Sequence, residues 1–462
     1  MTFSESGSFL SDEFVIKMGK QIKNITKQTV EIRPSNSQTS YTNNQRILFQ
    51  IPYSSTFSTK DLALHFTGKY SDQLKEAGSP MAAALFPKDM NIFSDIIVRI
   101  NGKIVSSFSN RYNDVCAILG NFKNRNNPTR SLLQNGTPEH KSYLNTTTGA
   151  ITTISNIEHD TNADYVIDKG EYVITQWEGL LGNSTSASFL DSRILGEITI
   201  EFVIAPVSVG IAGSGDEGAS KETSDEKAKI NNDISFNLSD LKLSMQRYNL
   251  DPSYYEGIDR NLSSGSTYKI AFDHYDIFSK GATTTQDSLM FNINAHDIKY
   301  MFGFFNHSDR DALLRPQTKF LCEQDNFFNS YWYDYSAIKF SEGQFQVGST
   351  LVPQNPLKPT DCMLELVRMY DIKQDSSNGV VGGIADMANF RKHYFVCPLS
   401  FEFCEDKSDG RVISGLSTEG LPLAISWNYK LSGAPTNKNA NVLVATTRVL
   451  TINNGAVVDV QL

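Results

Sequence analysis

Cysteine and long apolar runs are scarce in this sequence, and each shortage excludes a class of protein. The 462 residues contain 5 cysteines, an odd number scattered mostly within apolar runs. This pattern favours reduced thiols from a cytosolic or nuclear compartment over a disulfide framework. No apolar stretch approaches the ~18 residues of a membrane span, and the N-terminus lacks a signal sequence, so we expect a soluble protein. The cysteines are Cys116, Cys322, Cys362, Cys397 and Cys404.

Positive charge is in the minority. Lys and Arg number 42 against 51 Asp and Glu, which gives a formal net charge of −9. Because nucleic-acid phosphates are bound by clustered Lys and Arg, this balance argues against direct nucleic-acid binding. Hydrophobic residues at 40% and charged residues at 20% fit a folded globular protein, and the length favours two or three domains.

Catalytic and cofactor-binding motifs are missing from the sequence. Residues 213–218 match the letters of the dinucleotide fingerprint G-x-G-x-x-G, but Asp216 and Glu217 would repel a pyrophosphate and no apolar helix follows. Residues 406–410 resemble a calcium loop without its alternating oxygen ligands. There is no G-x-S-x-G motif, phosphate-binding loop or Cys-x-x-Cys pair. We therefore predict that the chain is not an enzyme and assign no catalytic, cofactor-binding or metal-binding residue.

The histidines stand apart from one another, without the spacing of a zinc site. The segment Asp273-His274-Tyr275-Asp276 places carboxylates beside an imidazole, but sequence neighbours in a strand point to opposite faces. We interpret all of the histidines as ordinary surface or core residues: His65, His140, His159, His274, His296, His307 and His393.

Strand signals dominate the chain, and one hairpin pattern occurs twice. Residues 98–105 alternate apolar and polar side chains around Asn101-Gly102, a pair that tolerates the positive φ angles of a type I′ turn. Residues 338–347 show the same pattern around Glu342-Gly343. The two glycines lie 241 residues apart (343 − 102), about half the chain length.

Other segments repeat in the same order at a similar offset. Each predicted hairpin is followed by a short helix that begins near an Asn, Asp or Thr able to cap it. A long polar loop and further strands come next. Such an order indicates an internal duplication, and the alternative is a likeness of composition alone. The paired segments are 48–51 with 290–293, 113–119 with 360–366, 172–177 with 394–399, 197–204 with 423–429, and 241–247 with 442–452.

The fold class that follows is all-β, with two tandem eight-stranded jelly rolls (a double jelly roll), short helices and long loops. Alternating strands without helices between them are typical of antiparallel sheets with one buried face. We divide the chain into an N-terminal arm (1–45), a first jelly roll (46–251) and a second jelly roll (252–462), with the seam near Asp251.

The predicted arm and loops carry further expectations. In the arm, the apolar residues Phe14, Val15, Ile16, Met18 and Ile22 interleave with lysines, a pattern that fits contact with a membrane or an internal partner. The alternative is a flexible arm that lies over a neighbouring subunit. Three segments have loop composition, and we expect the first two to project from one end of a sandwich: 122–170, 372–392 and 209–232.

The order of these blocks resembles the double jelly-roll major capsid proteins of double-stranded DNA viruses, the lineage of polinton-like viruses, virophages and nucleocytoplasmic large DNA viruses. The likeness rests on residues 93–104 with 112–119, on 238–251, and on 298–305 with 335–340. The resemblance implies a homotrimer whose six sandwiches form a pseudo-hexameric capsomer of an icosahedral virion. It also implies minor capsid and penton proteins as partners, an internal membrane in many members, and assembly in the host cytoplasm or nucleus.

A second hypothesis is a receptor- or carbohydrate-binding β-sandwich protein of a viral fibre or surface structure. It would need an exposed aromatic platform on the loops. The three tryptophans, Trp177, Trp332 and Trp427, all lie in strand-like segments, which counts against this hypothesis.

Overall fold

The computed structural model describes most of the strand-forming segments of the chain. The described residues are 26–70 (except 37 and 54), 82–84, 92–123, 142–144, 151–153, 170–182, 189–206, 211–213, 236–250, 255–307 (except 258–259, 261–262, 266 and 296), 340–370, 387, 390–391, 395–402, 415–418 and 424–461 (except 434, 436–437 and 454–455).

Strands make up most of the described residues. In the first half they are β1 (Thr26–Ile32), β2 (Ser40–Thr42), β3 (Arg46–Gln50), β4 (Thr56–Ser58), β5 (Ala63–Tyr70), β6 (Ala82–Ala84), β7 (Phe93–Ile100), β8 (Lys103–Ser106), β9 (Ser142–Leu144), β10 (Ile151–Thr153), β11 (Gly170–Ile174), β12 (Phe189–Asp191), β13 (Ile198–Ile204), β14 (Ile211–Gly213) and β15 (Phe236–Asn249). In the second half they are β16 (Tyr268–Ala282), β17 (Gln286–Asn292), β18 (Ile298–His307), β19 (Phe340–Val347), β20 (Thr350–Leu357), β21 (Cys397–Ser400), β22 (Ala424–Leu431), β23 (Lys438–Asn453) and β24 (Ala456–Gln461). The helices are α1 (Tyr112–Lys123), α2 (Ser192–Leu195) and α3 (Pro359–Tyr370), with 3-10 turns at Thr59–Asp61 and Gly179–Leu181.

The strands of the first half form two main sheets. Sheet I has the order β11-β5-β15-β4-β12, with β1 and β2 also paired to β15, and sheet II has the order β3-β13-β7-β8. All of these pairings are antiparallel. Phe202 of sheet II packs against Phe49, Phe93 and Trp177, with ring centroids 5.0 to 5.8 Å apart. We call this two-sheet unit the first sandwich.

The second half repeats the arrangement. Sheet III has the order β16-β23-β18-β21, with β24 also paired to β23, and sheet IV has the order β17-β22-β19-β20. Sheet II and sheet IV, each of four strands, therefore have their equivalent strands in the same order. We call this unit the second sandwich. The predicted duplication is confirmed at the level of topology, and so is the all-β class.

The first predicted hairpin is confirmed. Asn101 and Gly102 form the turn between β7 and β8, with φ angles of 51° and 77°. Both angles are positive, as a type I′ turn requires, and Gly102 has open space around its missing Cβ. The Asn101 side chain also accepts a 2.9 Å hydrogen bond from the Glu197 amide, which ties the turn to the strand that follows α2.

The second predicted hairpin turn was wrong. Glu342 and Gly343 lie inside β19, and the turn is formed by Gly348 (φ 61°) and Ser349. Gly343 is needed for a close approach instead, because a Cβ there would lie 2.8 Å from Phe340 Cζ and 3.1 Å from Trp427 Nε1. The corrected turn makes residues 101–102 equivalent to residues 348–349.

Most other predicted elements are present, with adjusted ends. The two short helices are α1 and α3, although the strand expected over 172–177 ends at Ile174. The last strand of the chain, β24, was not anticipated. The predicted arm contributes β1 and β2 to sheet I, and Tyr41 is 1% exposed. These arm residues are largely polar and pair with β15 through the main chain, while Tyr41 joins the apolar core and Val30 and Ile32 pack against it.

Two small strand pairs involve segments expected to be loops, with β9 and β10 inside 122–170 and β14 inside 209–232. β9 pairs with β10, and β14 pairs with β6. The seam near Asp251, residues 14–22 and most of the three loop segments lie outside the described residues. The division at residues 45 and 251 therefore stays a prediction.

Candidate functional site at the contact between the two sandwiches

The two sandwiches meet where a loop of the first packs on a strand of the second. Phe108 follows β8, and its ring stacks on Tyr275 of β16, with centroids 6.4 Å apart and planes 15° apart. The His274 ring lies 6.0 Å from the same phenylalanine. Tyr112 of α1 supports Phe108 edge-on at 4.7 Å. Aromatic rings from both sandwiches thus form one contiguous contact.

The loop that carries Phe108 is held in place by a buried carboxylate. Asp95 of β7 accepts hydrogen bonds from the amides of Phe108 (2.8 Å) and Asn110 (3.3 Å) and from the Ser107 hydroxyl (2.9 Å). Gly179 has a φ of 77°, and a Cβ there would lie 2.8 Å from Phe108 Cζ. Position 179 therefore has to be a glycine, because a side chain there would collide with the Phe108 ring.

Polar groups bridge the contact beside the rings. The Tyr275 hydroxyl lies 3.2 Å from Glu178 Oε2 of the first sandwich and 3.4 Å from Asp273 Oδ2 of its own strand. Lys299 of β18 forms a 2.5 Å ion pair with Asp273. Burial, together with the charge of Glu178, raises the pKa of Tyr275 well above its ordinary value. The hydroxyl therefore stays protonated and acts as a donor to these carboxylates.

His274 is a buried titratable group beside Phe108. Its side chain is 2% exposed, and Nε2 lies 3.3 Å from Asp276 Oδ1. Burial lowers the pKa of His274, although the hydrogen bond and charge of Asp276 act in the opposite direction. Among the described residues, Nδ1 has no hydrogen-bond partner. The neutral imidazole, donating from Nε2 to Asp276, fits this environment.

The chain between the sandwiches is also anchored. The Tyr255 hydroxyl lies 3.0 Å from Thr56 Oγ1, and the Arg193 guanidinium lies over the Tyr255 ring, 4.5 Å from its centroid. Thr56 in turn donates a 2.7 Å hydrogen bond to Asp191. The connecting segment is therefore attached to the first sandwich at a second place, apart from Phe108.

The two sandwiches use different surfaces in this contact. The first contributes its loop after β8 and the turn Gly179–Leu181, whereas the second contributes β16, the edge strand of sheet III. Residues 440–447 of β23 are all buried, which means that this strand is covered on both faces. The equivalent strand β15 alternates between buried and half-buried residues over 241–246 and is covered on one face. The contact is therefore heterologous, or head-to-tail.

Among the described residues, no cluster of three or more His, Cys, Asp or Glu could hold a metal ion. His65 lies in β5 and shares a 2.9 Å hydrogen bond with Ser244, and His307 ends β18. Cys116, Cys362 and Cys397 form no disulfide bond among the described residues. The other candidates lie outside the described residues: His140, His159, His296, His393, Cys322, Cys404, and residues 214–218 and 406–410.

Sequence reasoning missed the contact between the sandwiches. Asp273 to Asp276 was noticed as a group of titratable residues, and the strand does separate its two pairs as expected, with Tyr275 beside Asp273 and His274 beside Asp276. Nothing in the sequence indicated that Phe108 and Glu178 would meet this strand.

The described helices include none with the length and apolarity to span a bilayer.

Comparison with known proteins gives similarity of structure alone. No protein-family model matches the sequence, and no curated protein matches it. The Faustovirus major capsid protein superposes with a TM-score of 0.58 at 9% identity, covering 94% of this chain and 91% of that one. PBCV-1 VP54, fitted into a cryo-EM reconstruction of the virophage Sputnik, gives a TM-score of 0.55 at 12% identity, with 94% and 96% covered. The PBCV-1 capsid model gives the same values. The predicted double jelly-roll fold is confirmed.

Proposed function

We propose that the chain is the major capsid protein of an icosahedral double-stranded DNA virus, a structural protein that assembles into a virion shell. The observation that carries this proposal is the likeness to the Faustovirus protein and to PBCV-1 VP54 over more than nine tenths of both chains. Jelly rolls host many functions, so the fold by itself gives a class of candidates. Structural likeness over two tandem rolls narrows that class to shell proteins.

The contact between the sandwiches supports self-assembly. A head-to-tail contact joins two different surfaces, so each end of a two-sandwich unit keeps one surface for a further unit. Three copies in a closed ring present six similar sandwiches, which form a pseudo-hexameric homotrimer with near six-fold edges. Such a tile packs into a hexagonal lattice, as an icosahedral facet requires.

Partners and location follow from this role as further parts of the proposal. The trimer contacts neighbouring capsomers, and minor capsid and penton proteins complete the shell at the positions that a hexagonal tile does not fill. Residues 14–22, apolar with interleaved lysines, suit an internal membrane. The net charge of −9 suits a shell that does not bind the genome directly. Synthesis and assembly take place in the host cytoplasm or nucleus.

The test is the mass and shape of the purified full-length protein. Light scattering after size-exclusion chromatography is expected to give about three times the 51.5 kDa mass of the chain. Negative-stain images are expected to show hexagonal particles, and sheets or shells at high concentration. A protein that remains monomeric at micromolar concentration, or images of single rods, would overturn the proposal.

A further inference from the structure

Two buried thiols meet where helix α3 packs on sheet III. Cys362 lies in the first turn of α3, and its amide donates a 2.9 Å hydrogen bond to the Lys358 carbonyl. Cys397 is the first residue of β21. Both side chains are 0% exposed, and the two thiol groups are in hydrogen-bond contact. The helix and the strand therefore touch at this point through sulfur atoms.

Both elements hold their sulfur in place. Cys362 and Leu366 are one turn apart on α3 and fully buried, whereas Leu364 between them is 48% exposed, so the cysteine lies on the core-facing side of the helix. That helix packs against β21. In β21, Cys397 pairs with Gly303 of β18 across the sheet. The contact between the thiols is therefore fixed by the packing of the second sandwich core.

The first sandwich fills the corresponding helix position with an apolar side chain. The turns of the two hairpins lie 247 residues apart (348 − 101), and the same offset relates Cys362 to Val115 of α1 (362 − 247). Val115 is also 0% exposed. Packing at this place therefore requires a small apolar side chain, a role that cysteine can fill but that does not need a thiol. A second thiol on the strand that the helix touches goes beyond that role.

We propose that Cys362 and Cys397 are an oxidation site of the folded chain, at which a peroxide converts the two thiols into a disulfide bond between α3 and β21. Sulfur atoms already in hydrogen-bond contact need a short approach to reach the bonding distance of about 2.05 Å. The inference goes beyond the proposed function and does not depend on it, because the bond lies within one chain.

The reaction converts two thiols and one hydrogen peroxide into one disulfide and two waters. The thiolate of one cysteine attacks a peroxide oxygen and the O–O bond breaks, which leaves a sulfenic acid and a hydroxide. The thiolate of the other cysteine attacks the sulfenic sulfur, the S–S bond forms, and the S–O bond breaks to release a second hydroxide. Each hydroxide takes up one of the two thiol protons. Two electrons pass from the sulfurs to the peroxide oxygens.

The surroundings of the pair make this reaction slow. The hydrogen bond to Cys397, together with burial, raises the pKa of Cys362 well above its ordinary value, so little thiolate is present at neutral pH. Oxidation therefore requires a brief local opening in which α3 separates from β21. In the reducing interior of a cell the pair stays as thiols, and the disulfide accumulates after exposure to an oxidising exterior.

The bond closes a long loop at its base. Cys362 and Cys397 lie 35 positions apart (397 − 362), and residues 372–392, a segment expected to project from the sandwich, lie between them. Closing a loop of this length removes conformational freedom from the unfolded chain. The disulfide is therefore expected to raise the thermal stability of the second sandwich without any contact to another copy.

The first experiment maps the bond in the full-length protein. The reduced protein is freed of reductant, incubated for several days with a slight molar excess of hydrogen peroxide, and denatured in iodoacetamide to block the remaining thiols. Mass spectrometry of a digest made without reductant is expected to show the peptides of Cys362 and Cys397 joined, with the loss of two hydrogen atoms, in most chains. A pair that stays as thiols, bonds to other cysteines or is oxidised to sulfinic acids would overturn the proposal.

The second experiment compares the thermal midpoints of reduced and oxidised protein. Oxidation is expected to raise the midpoint of the unsubstituted protein by about 5–10 °C. Cys362→Val introduces the side chain of the first sandwich, and Cys397→Ala removes the other thiol; neither variant is expected to gain on oxidation. The matched control is Cys116→Val on α1, which keeps the pair and is expected to gain as much as the unsubstituted protein.

The comparison has a clear negative result. No gain in the unsubstituted protein, or an equal gain in Cys362→Val and Cys397→Ala, would overturn the proposal, because the stabilising bond would then be absent or lie at other cysteines. Both readouts are independent of whether the chain forms trimers, so failure of the disulfide and failure of the proposed function are distinguished.

Discussion

The hydroxyl of Tyr275, in the second sandwich, lies 3.2 Å from the carboxylate of Glu178, in the first. These two residues are 97 positions apart in the chain, and their hydrogen bond stands beside the stacked rings of Phe108 and Tyr275. Because burial raises the pKa of Tyr275 and keeps its hydroxyl protonated, this hydrogen bond joins a neutral donor to a charged acceptor. Such bonds are stronger than those between neutral groups.

Tyr275→Phe is expected to destabilise the contact between the sandwiches. The substitution keeps the ring but removes a donor to two carboxylates in a buried site, at a cost of about 1–3 kcal/mol in the free energy of unfolding. Thermal or urea unfolding followed by tyrosine and tryptophan fluorescence measures it. Tyr53→Phe is the matched control, because Tyr53 is 70% exposed and its hydroxyl can bind water. Equal midpoints for the two variants would contradict a structural role for the Tyr275 hydroxyl.

Phe108→Ala is expected to loosen one sandwich from the other. The side chain is 3% exposed and fills the space between Gly179, Tyr112 and the residues of β16. Its removal leaves a cavity, which is expected to lower the free energy of unfolding by about 3–5 kcal/mol. Calorimetry is expected to show a single transition splitting into two as the sandwiches uncouple. Ile104→Ala, on the same hairpin but 52% exposed, serves as the control. An unchanged single transition in Phe108→Ala would show that the sandwiches are joined mainly elsewhere.

The sequence predicted what depends on local chemistry and missed what depends on long-range contacts. The turn at Asn101-Gly102 was found because its backbone angles require those residue types. Glu342-Gly343 also places a glycine within an alternating segment, as a turn would. Gly343 instead leaves room for the side chain of Trp427, which lies 84 positions further along the chain (427 − 343). The order of strands was readable because two copies of it were present. The contact of Phe108 with Tyr275 left no local pattern to read.

Gly343→Ala is expected to be costly although the glycine lies in a regular strand. Its new Cβ would sit 2.8 Å from the Phe340 ring and force that ring or Trp427 to move, at a cost of about 1–3 kcal/mol. The matched control is Gly281→Ala in β16, where a Cβ meets nothing within 4 Å. Urea unfolding compares the two. Equal stability of both variants would mean that the second sandwich core adapts without strain.

The stability of the protein is expected to fall as the pH drops from 7 to 5, partly through His274. Because burial lowers the pKa of this histidine in the folded state, the unfolded chain, with a pKa of about 6.5, binds the proton more readily. The stability that neutral His274 contributes is therefore fully present above its pKa in the unfolded chain. It is lost as the pH falls toward its pKa in the folded protein, by up to about 1.4 kcal/mol per pH unit.

The groups around the His274 ring set the size of this pH effect. Asp276 on the same strand and Asp95 of the first sandwich favour its protonation, whereas Arg448 of β23 opposes it. His274→Asn cannot take up the proton, so its unfolding midpoint is expected to depend less steeply on pH between 7 and 5. His65 also has a pKa lowered by burial and by Lys242, which makes His65→Asn the comparison that separates the two histidines. If the pH dependence of the unfolding midpoint remains in His274→Asn but is lost in His65→Asn, the pH sensitivity arises at His65 on sheet I and not at the contact between the sandwiches.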